Sequence, residues 1–384
     1  MTSRERMDRA MRPRAGALPD RVPVMCQLSL GHYFLHAGIE PVEIWHDSAA
    51  FGEALLTMQR RYGFDGVLVN LPGRDPAWRD GADAIEARGA DRVVRWRDGC
   101  VTVVPPDDNP HVYDASGAAC RRIAFDEVNP DRLFYVEPHG GRGPALIAPG
   151  AWPSYQHDTI RYLRDRAPDL SVHGEVFSPF SQLLEWVDHT SALTALIDDP
   201  EKVGRCLDRL ADGAIALAIG QADAGADAIL VSSAFAGGGF ISPRQYRAFV
   251  APCERKVVAG VKAVHPGLPV YTHTCGAIGD RLEMMEETGT EGIDTLDPPP
   301  LGTVDLADAK RRLGTRLFIK GNLDPVGELL AGTADACYRA ALERLAAGKP
   351  GGGYILSSAC SVAPHTPPEN IAQLRRAVEA AGWY

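Results

Sequence analysis

An α/β architecture, a (β/α)8 TIM barrel forming a single domain over residues 1–384, follows from three features of this chain. Short β-branched runs alternate with amphipathic stretches, the pattern of a parallel sheet whose strands are joined by helices. Eight such runs occur, at 22–27, 66–70, 170–175, 228–232, 268–273, 292–296, 316–320 and 354–358. The phrases Ala224-Gly225-Ala226-Asp227-Ala228 and Thr288-Gly289-Thr290-Glu291-Gly292 each place a glycine where a helix ends and the chain turns back into a strand.

Between the strands, helices are expected at 48–62, 178–188, 201–224, 242–265, 277–288, 334–347 and 368–381. Residues 1–12 suggest a short polar helix capped by Thr2 or Ser3. Residues 71–150 break the rhythm, with no long helical pattern. Within them 92–96 and 101–104 flank Asp98-Gly99, a hairpin signal. This stretch is expected to be a β-rich insertion after the second strand, a meander over the barrel mouth. Its aromatic residues Trp96, Tyr113, Phe134 and Tyr135 fit the small core of such a meander, or a roof over an aromatic substrate.

Composition narrows the function. A formal net charge of −10 argues against a nucleic-acid partner and against an anionic membrane surface. No apolar run approaches the ~20 residues that span a bilayer. The Arg-rich start has no apolar stretch behind it and is not expected to be a signal peptide. The eight cysteines are dispersed, which fits a reducing cytoplasm better than a disulfide framework. Cys206, Cys253 and Cys337 fall in helical patterns and are expected to be buried.

Chemistry in a barrel sits at the C-terminal ends of its strands. After the fifth run stand His273 and Cys275, two apart and hence on one side of an extended chain. After the eighth stands Cys360, 85 residues later and at the same face. One imidazole and two thiolates form a catalytic zinc set with a further coordination position free, and the two sulfurs disfavour magnesium or calcium. The same residues also fit a strand-end histidine on backbone carbonyls and two small core thiols.

Further candidates line the same face. Glu175 ends the third strand as a proton donor, acceptor or occasional ligand, or as a carboxylate bonded to the next turn. Asn322, Asp294 and Tyr271 are candidate substrate contacts, with Lys320, Asp297 and Asp324 nearby; Asp324 fits equally as a helix cap before Pro325. His365 reads as a solvated loop residue and Cys26 as a buried inert thiol. The run Gly237-Gly238-Gly239 lacks the Lys-Ser/Thr ending of a phosphate loop and is expected to be a flexible loop at the mouth.

Several phrases resemble the uroporphyrinogen-decarboxylase superfamily. Gly321-Asn322-Leu323-Asp324-Pro325 resembles its Gly-Asn-x-Asp-Pro signature, and the segment Pro364 to Asn370 resembles its Pro-x-Thr-Pro-x-Glu-Asn lead into the last helix. Ile241-Ser242-Pro243, with Phe249 and Pro252, resembles its Ile-Ser-Pro helix. The resemblance runs from about Pro23 to the C-terminus around the insertion.

True decarboxylases of that superfamily carry early arginines, an aspartate after the second strand and a late histidine. Here the first strand reads Pro23-Val24-Met25-Cys26-Gln27, the second ends Val69-Asn70-Leu71, and Cys360 stands at the histidine position. Without cationic clamps a polycarboxylate would be poorly held. The resemblance instead implies the branch of zinc methyltransferases that work with corrinoid proteins, whose His-x-Cys and distant Cys match His273, Cys275 and Cys360.

On this reading the cofactors are zinc and a corrinoid (cobalamin). The corrinoid is brought by a corrinoid-binding protein, because no Asp-x-His-x-x-Gly signature occurs in the chain. The other partner is a small-molecule methyl donor or acceptor, and a homodimer is compatible with it. A lyase resembling uroporphyrinogen decarboxylase and a non-catalytic binding barrel are the alternatives, and metal content separates the three.

Overall fold

The computed structural model describes residues 1–119, 122–314 and 316–384. The strands among them are β1 (Gly66–Val69), β2 (Ala82–Arg88), β3 (Asp91–Trp96), β4 (Val101–Val104), β5 (His111–Tyr113), β6 (Tyr135–Glu137), β7 (Ala145–Ile147), β8 (Ser171–Phe177), β9 (Ala228–Ser232), β10 (Val270–Thr274), β11 (Gly292–Thr295), β12 (Phe318–Leu323) and β13 (Tyr354–Ser358). Seven of them pair in parallel as one curled sheet in the order β1-β8-β9-β10-β11-β12-β13. Both faces of the sheet are covered, so β9 and β13 are buried throughout and read as short β-rich runs without polar alternation.

Residues 22–28 run between the two edge strands without a regular ladder. On one side Met25 N donates to Leu356 O at 3.1 Å and Leu356 N to Pro23 O at 2.9 Å; on the other, Asp65 N donates to Val24 O at 2.7 Å. Pro23 has no N–H to give, and the Val24 N–H goes to the Asp65 carboxylate at 2.9 Å. The strand expected at 22–27 is therefore reduced to isolated bridges.

The N-terminal helix Ser3–Met11 has Thr2 as N-cap, with Glu5 completing a capping box. Its Met7, Ala10 and Met11 pack against Met25, Leu68, Ala228, Leu230, Tyr271, Phe318 and Ile355, an apolar layer drawn largely from the early residues of the strands. Among the described residues no helix is long and apolar enough to cross a membrane.

Two helices depart from expectation. Of 277–288 only Leu282–Glu286 is α-helical. The preceding backbone is engaged elsewhere: Ala277 O accepts from Gly238 N at 2.8 Å, and Gly279 N donates to Thr303 Oγ1 at 3.0 Å. The span expected at 242–265 contains a π-turn at Tyr246–Val250 before Ala251–Val264. Pro252 cannot donate into the ladder and crowds the carbonyl four residues back, which a wider turn relieves.

Between β1 and β8, β2 to β5 form an antiparallel four-stranded sheet, and β6 and β7 pair as a ribbon. The hairpin at Asp98-Gly99 is present, with Gly99 at φ 87°. Trp96 packs in a small cluster with Val42, Trp78 and Val94.

Candidate metal centre

The end of β10 and the turn after β13 bring three soft donors to one point. His273, Cys275 and Cys360 each offer a ligand atom, all within 4.8 Å of one another. The His273 Nε2 lies 3.2 Å from Cys275 Sγ, which lies 3.6 Å from Cys360 Sγ. A nitrogen and two sulfurs converging this closely fit zinc by donor type. The three groups also share protons. The Cys275 thiol and His273 hold the Cys360 thiol well below its ordinary pKa, while the same pairing pushes Cys275 up. Burial alone would lower His273, but Asp294 and Cys360 raise it to about 10.

The other ring nitrogen of His273 is fixed from behind. Thr295 Oγ1 lies 2.7 Å from Nδ1 and Asp294 Oδ2 lies 3.4 Å away. Orientation through the second nitrogen is how ligating histidines are held. Asp294 is itself anchored, both oxygens accepting from Lys320 Nζ at 2.9 Å. Burial pushes the Asp294 carboxyl up, but Lys320 and His273 outweigh it and the net shift is downward.

Thr295 and Leu296 leave β11 at φ 83° and 55°, a region that side-chain-bearing residues rarely adopt and a β-branched one least of all. Asn322 holds this turn, its Nδ2 donating to Leu296 O at 2.9 Å. Asp324 caps the following turn, accepting from Val326 N at 2.8 Å and Gly327 N at 3.0 Å. Thus the Gly-Asn-x-Asp-Pro phrase braces the backbone that aims Thr295 at His273. Thr295 was not singled out from the sequence, where it has no distinguishing spacing.

In the glycine run, expected to be a flexible loop at the mouth, Gly237 and Gly238 meet the chain after β10, while Gly239 has open space around it. A Cβ on Gly237 would lie 2.2 Å from Cys275 O, and Gly238 N donates to Ala277 O. Arg281, fully buried, ties the flanks by donating to Ala236 O at 2.7 Å and Ile241 O at 3.2 Å. Gly276 N donates to Asp297 Oδ2 at 2.6 Å, and burial leads in raising the Asp297 carboxyl to about 6.

Glu175 lies on β8 with its carboxyl pushed up to about 7 by burial, an effect His273 reduces. Glu137 at the end of β6, which lines one cavity with Glu175, is likewise raised to about 7 by burial, against the His139 N–H and Arg74. Neither Glu137 nor Arg74 carried a signal in the sequence, since both lie in the irregular stretch. Tyr271 sits in the apolar layer below, its hydroxyl 2.8 Å from His173 Nδ1. Cys26 is buried and accepts from Ser358 N at 3.4 Å, and burial raises its thiol. His365 is exposed and pairs with Asp107 at 2.7 Å. Tyr135 is buried in the main core, where its hydroxyl accepts from Phe177 N at 3.4 Å; Phe134 packs at the edge of that core, and Tyr113 is part of β5.

Comparison with known proteins gives these features a setting. A curated uroporphyrinogen decarboxylase of Legionella pneumophila (strain Corby) is 30% identical over 234 residues, 59% of this chain and 63% of that protein. The chain thus spans under two thirds of the length of that relative. The uroporphyrinogen decarboxylase of Sphingopyxis alaskensis is 29% identical over 300 residues, 69% of this chain and 85% of the relative. Among solved structures, a methyltransferase from Methanosarcina mazei shares the fold with a TM-score of 0.70 at 20% identity, covering 99% of both chains. The family model for uroporphyrinogen decarboxylase (URO-D) matches residues 151–381, which hold the whole donor set, and this chain belongs to that family.

Proposed function

We propose that this chain is a zinc-dependent methyltransferase that moves a methyl group between a small methyl ether, alcohol or thiol and a corrinoid carried by a partner protein. The observation that carries the reading is the convergence of His273, Cys275 and Cys360, with Thr295 and Asp294 bracing the far side of the ring. The methyltransferase name of a structural neighbour of the same fold supports it. The chain is read as one domain, a (β/α)8 barrel closed through residues 22–28. Residues 71–150 are read as an insertion over the barrel mouth, tied to its surroundings by Gly73 N to Gln156 O and Val136 N to Gln182 Oε1.

His273, Cys275 and Cys360 would hold the ion. Bound there, zinc supplies Lewis acidity that makes a thiol nucleophilic at neutral pH or stabilises an oxygen leaving group. The chain's own groups do the remaining work. Lys320 keeps Asp294 ionised, and Asp294 with Thr295 keeps the imidazole aimed at the sulfurs. Glu175, whose carboxyl burial raises to about 7, would give or take the proton of the substrate's oxygen or sulfur.

Elemental analysis should find about one zinc per chain, lost when Cys275 and Cys360 are both replaced by serine. The cobalt spectrum should change when the zinc protein is mixed with methylcobalamin and thiols, or with reduced cobalamin and methyl ethers, most strongly when the corrinoid arrives on a carrier protein. Full zinc retention in the double variant, or turnover of a substrate without cobalt, sinks the reading. The names of the curated relatives favour a second one, a decarboxylating lyase. Release of carbon dioxide from uroporphyrinogen by the metal-stripped protein would establish it.

A further inference from the structure

The loop after β1 buries a guanidinium that no carboxylate touches. Arg74 is 6% exposed; its Nη1 donates to His139 O at 2.7 Å, while Nε and Nη2 have no partner. Gly73 fixes its place by donating to Gln156 O at 2.8 Å, an approach where a Cβ would fall 1.7 Å from Tyr155 O. Beside it His46, 3% exposed, leaves Nε2 unpartnered. Burial, with Arg74 and Arg142, lowers the His46 pKa to about 3, so the ring is neutral. Buried polar atoms without partners are costly, and the free Arg74 donors beside an unpartnered His46 nitrogen call for an acceptor in the cavity they share.

That cavity, about 220 Å³, is bounded by His46, Arg74, Trp78, Trp96 and Arg142. His46 stacks on Trp78 with centroids 4.8 Å apart and meets Trp96 edge-on at 5.2 Å. Arg142 lies over the Trp96 ring at 4.4 Å and pairs with Asp98 at the rim. Of the acids nearby, Asp75 turns back to accept from Ala77 N at 2.9 Å, and Glu137 accepts from His139 N at 3.2 Å. Of the two guanidiniums that line the cavity, Arg142 has a carboxylate partner and Arg74 has none.

We propose that this cavity binds a small monocarboxylate, its carboxylate gripped by the free Nε and Nη2 of Arg74 beside the unpartnered His46 Nε2. A guanidinium takes a carboxylate in a bidentate grip, while the faces of Trp78 and Trp96 are already covered by His46, Arg79 and Arg142. A cavity of ~150 Å³ is enough for a benzene ring, and the larger volume here leaves room for the carboxylate. None of the residues that line the cavity belongs to the donor set, and the proposal stands or falls without the methyltransferase reading.

Titration of the full-length protein with benzoate, acetate and inorganic phosphate, followed by tryptophan fluorescence and calorimetry, tests it. Benzoate is expected to bind saturably at one per chain and to alter the emission, with acetate and phosphate much weaker. Arg74→Gln should weaken benzoate at least about tenfold, the loss of one charge-assisted hydrogen bond. If that variant does not fold, Arg74→Lys keeps the charge without the fork and should weaken benzoate several-fold. No saturable benzoate binding, phosphate binding in its place, or undiminished benzoate binding in the folded variants would overturn the proposal. Loss of benzoate binding in Cys360→Ser would place the ligand at the donor set instead, and would overturn it equally.

Discussion

The two ends of the parallel sheet treat buried charge in opposite ways. At the N-terminal end Asp65, 1% exposed, accepts from Ser3 Oγ, Arg6 Nη1, both terminal nitrogens of Arg21 and the Val24 N–H. At the C-terminal end Thr274 Oγ1, Asp297 Oδ1, Asn322 Oδ1, Ser357 Oγ and Ser358 Oγ are buried without a partner, and Glu175 and Asp297 are pushed up. A saturated network holds the chain together, whereas unspent donors and acceptors mark where something else must bind.

The comparison makes graded predictions. The largest effect is expected from replacing both Cys275 and Cys360 by serine. Metal should be lost entirely while far-ultraviolet circular dichroism stays that of the wild type, because a chain this long has its own core. Unfolding on metal loss would erase the distinction between the two ends. Next comes Asp65→Ala, which strands Arg6 and Arg21 and should cost ~3–5 kcal/mol in urea unfolding, with zinc still bound by the folded fraction. Thr295→Val removes the hydroxyl behind His273 and should weaken zinc by about 10–100-fold in chelator competition, leaving the melting temperature of the metal-free protein little changed. A melting loss without an affinity change would assign Thr295 to the fold alone.

A further prediction is a slope with pH. Burial pushes Glu254 up to about 7 from an ordinary 4.5, even though Tyr246 Oη donates to it at 2.8 Å. With the folded pKa above the unfolded one, its contribution is fully present below about pH 4.5 and is lost as pH rises to about 7. Glu254→Gln should therefore gain on the wild type in melting temperature across that window and hold a constant lead above it. Parallel pH curves for the two proteins would mean that Glu254 does not titrate there.

Much of this was legible in the residues, and what was not has physical causes. The runs at 228–232 and 354–358 coincide with β9 and β13, because buried parallel strands leave uninterrupted β-rich stretches. His273 and Cys275 announce themselves by alternation, and the strand count puts Cys360 at the same face. Residues 22–27 misled because side-chain capture of Val24 N by Asp65 breaks a ladder that β-propensity alone predicts. The contact at Gly237 was not legible either: a missing side chain there permits close approach to the Cys275 carbonyl. Arg74 and Glu137 stand 63 residues apart in stretches without periodicity, so only the fold could bring them together.

The 3.6 Å between Cys275 Sγ and Cys360 Sγ has a consequence for handling the protein. Sulfurs already in contact need little further approach to reach the ~2.05 Å of a disulfide, and the Cys360 thiol is the more readily ionised of the two. An oxidant that takes two electrons from the pair would remove both sulfur ligands in one event, whereas a metal seated between them keeps both occupied. Storage in air without a reductant should therefore lower the zinc that a stripped preparation can rebind, and a thiol reductant should restore it.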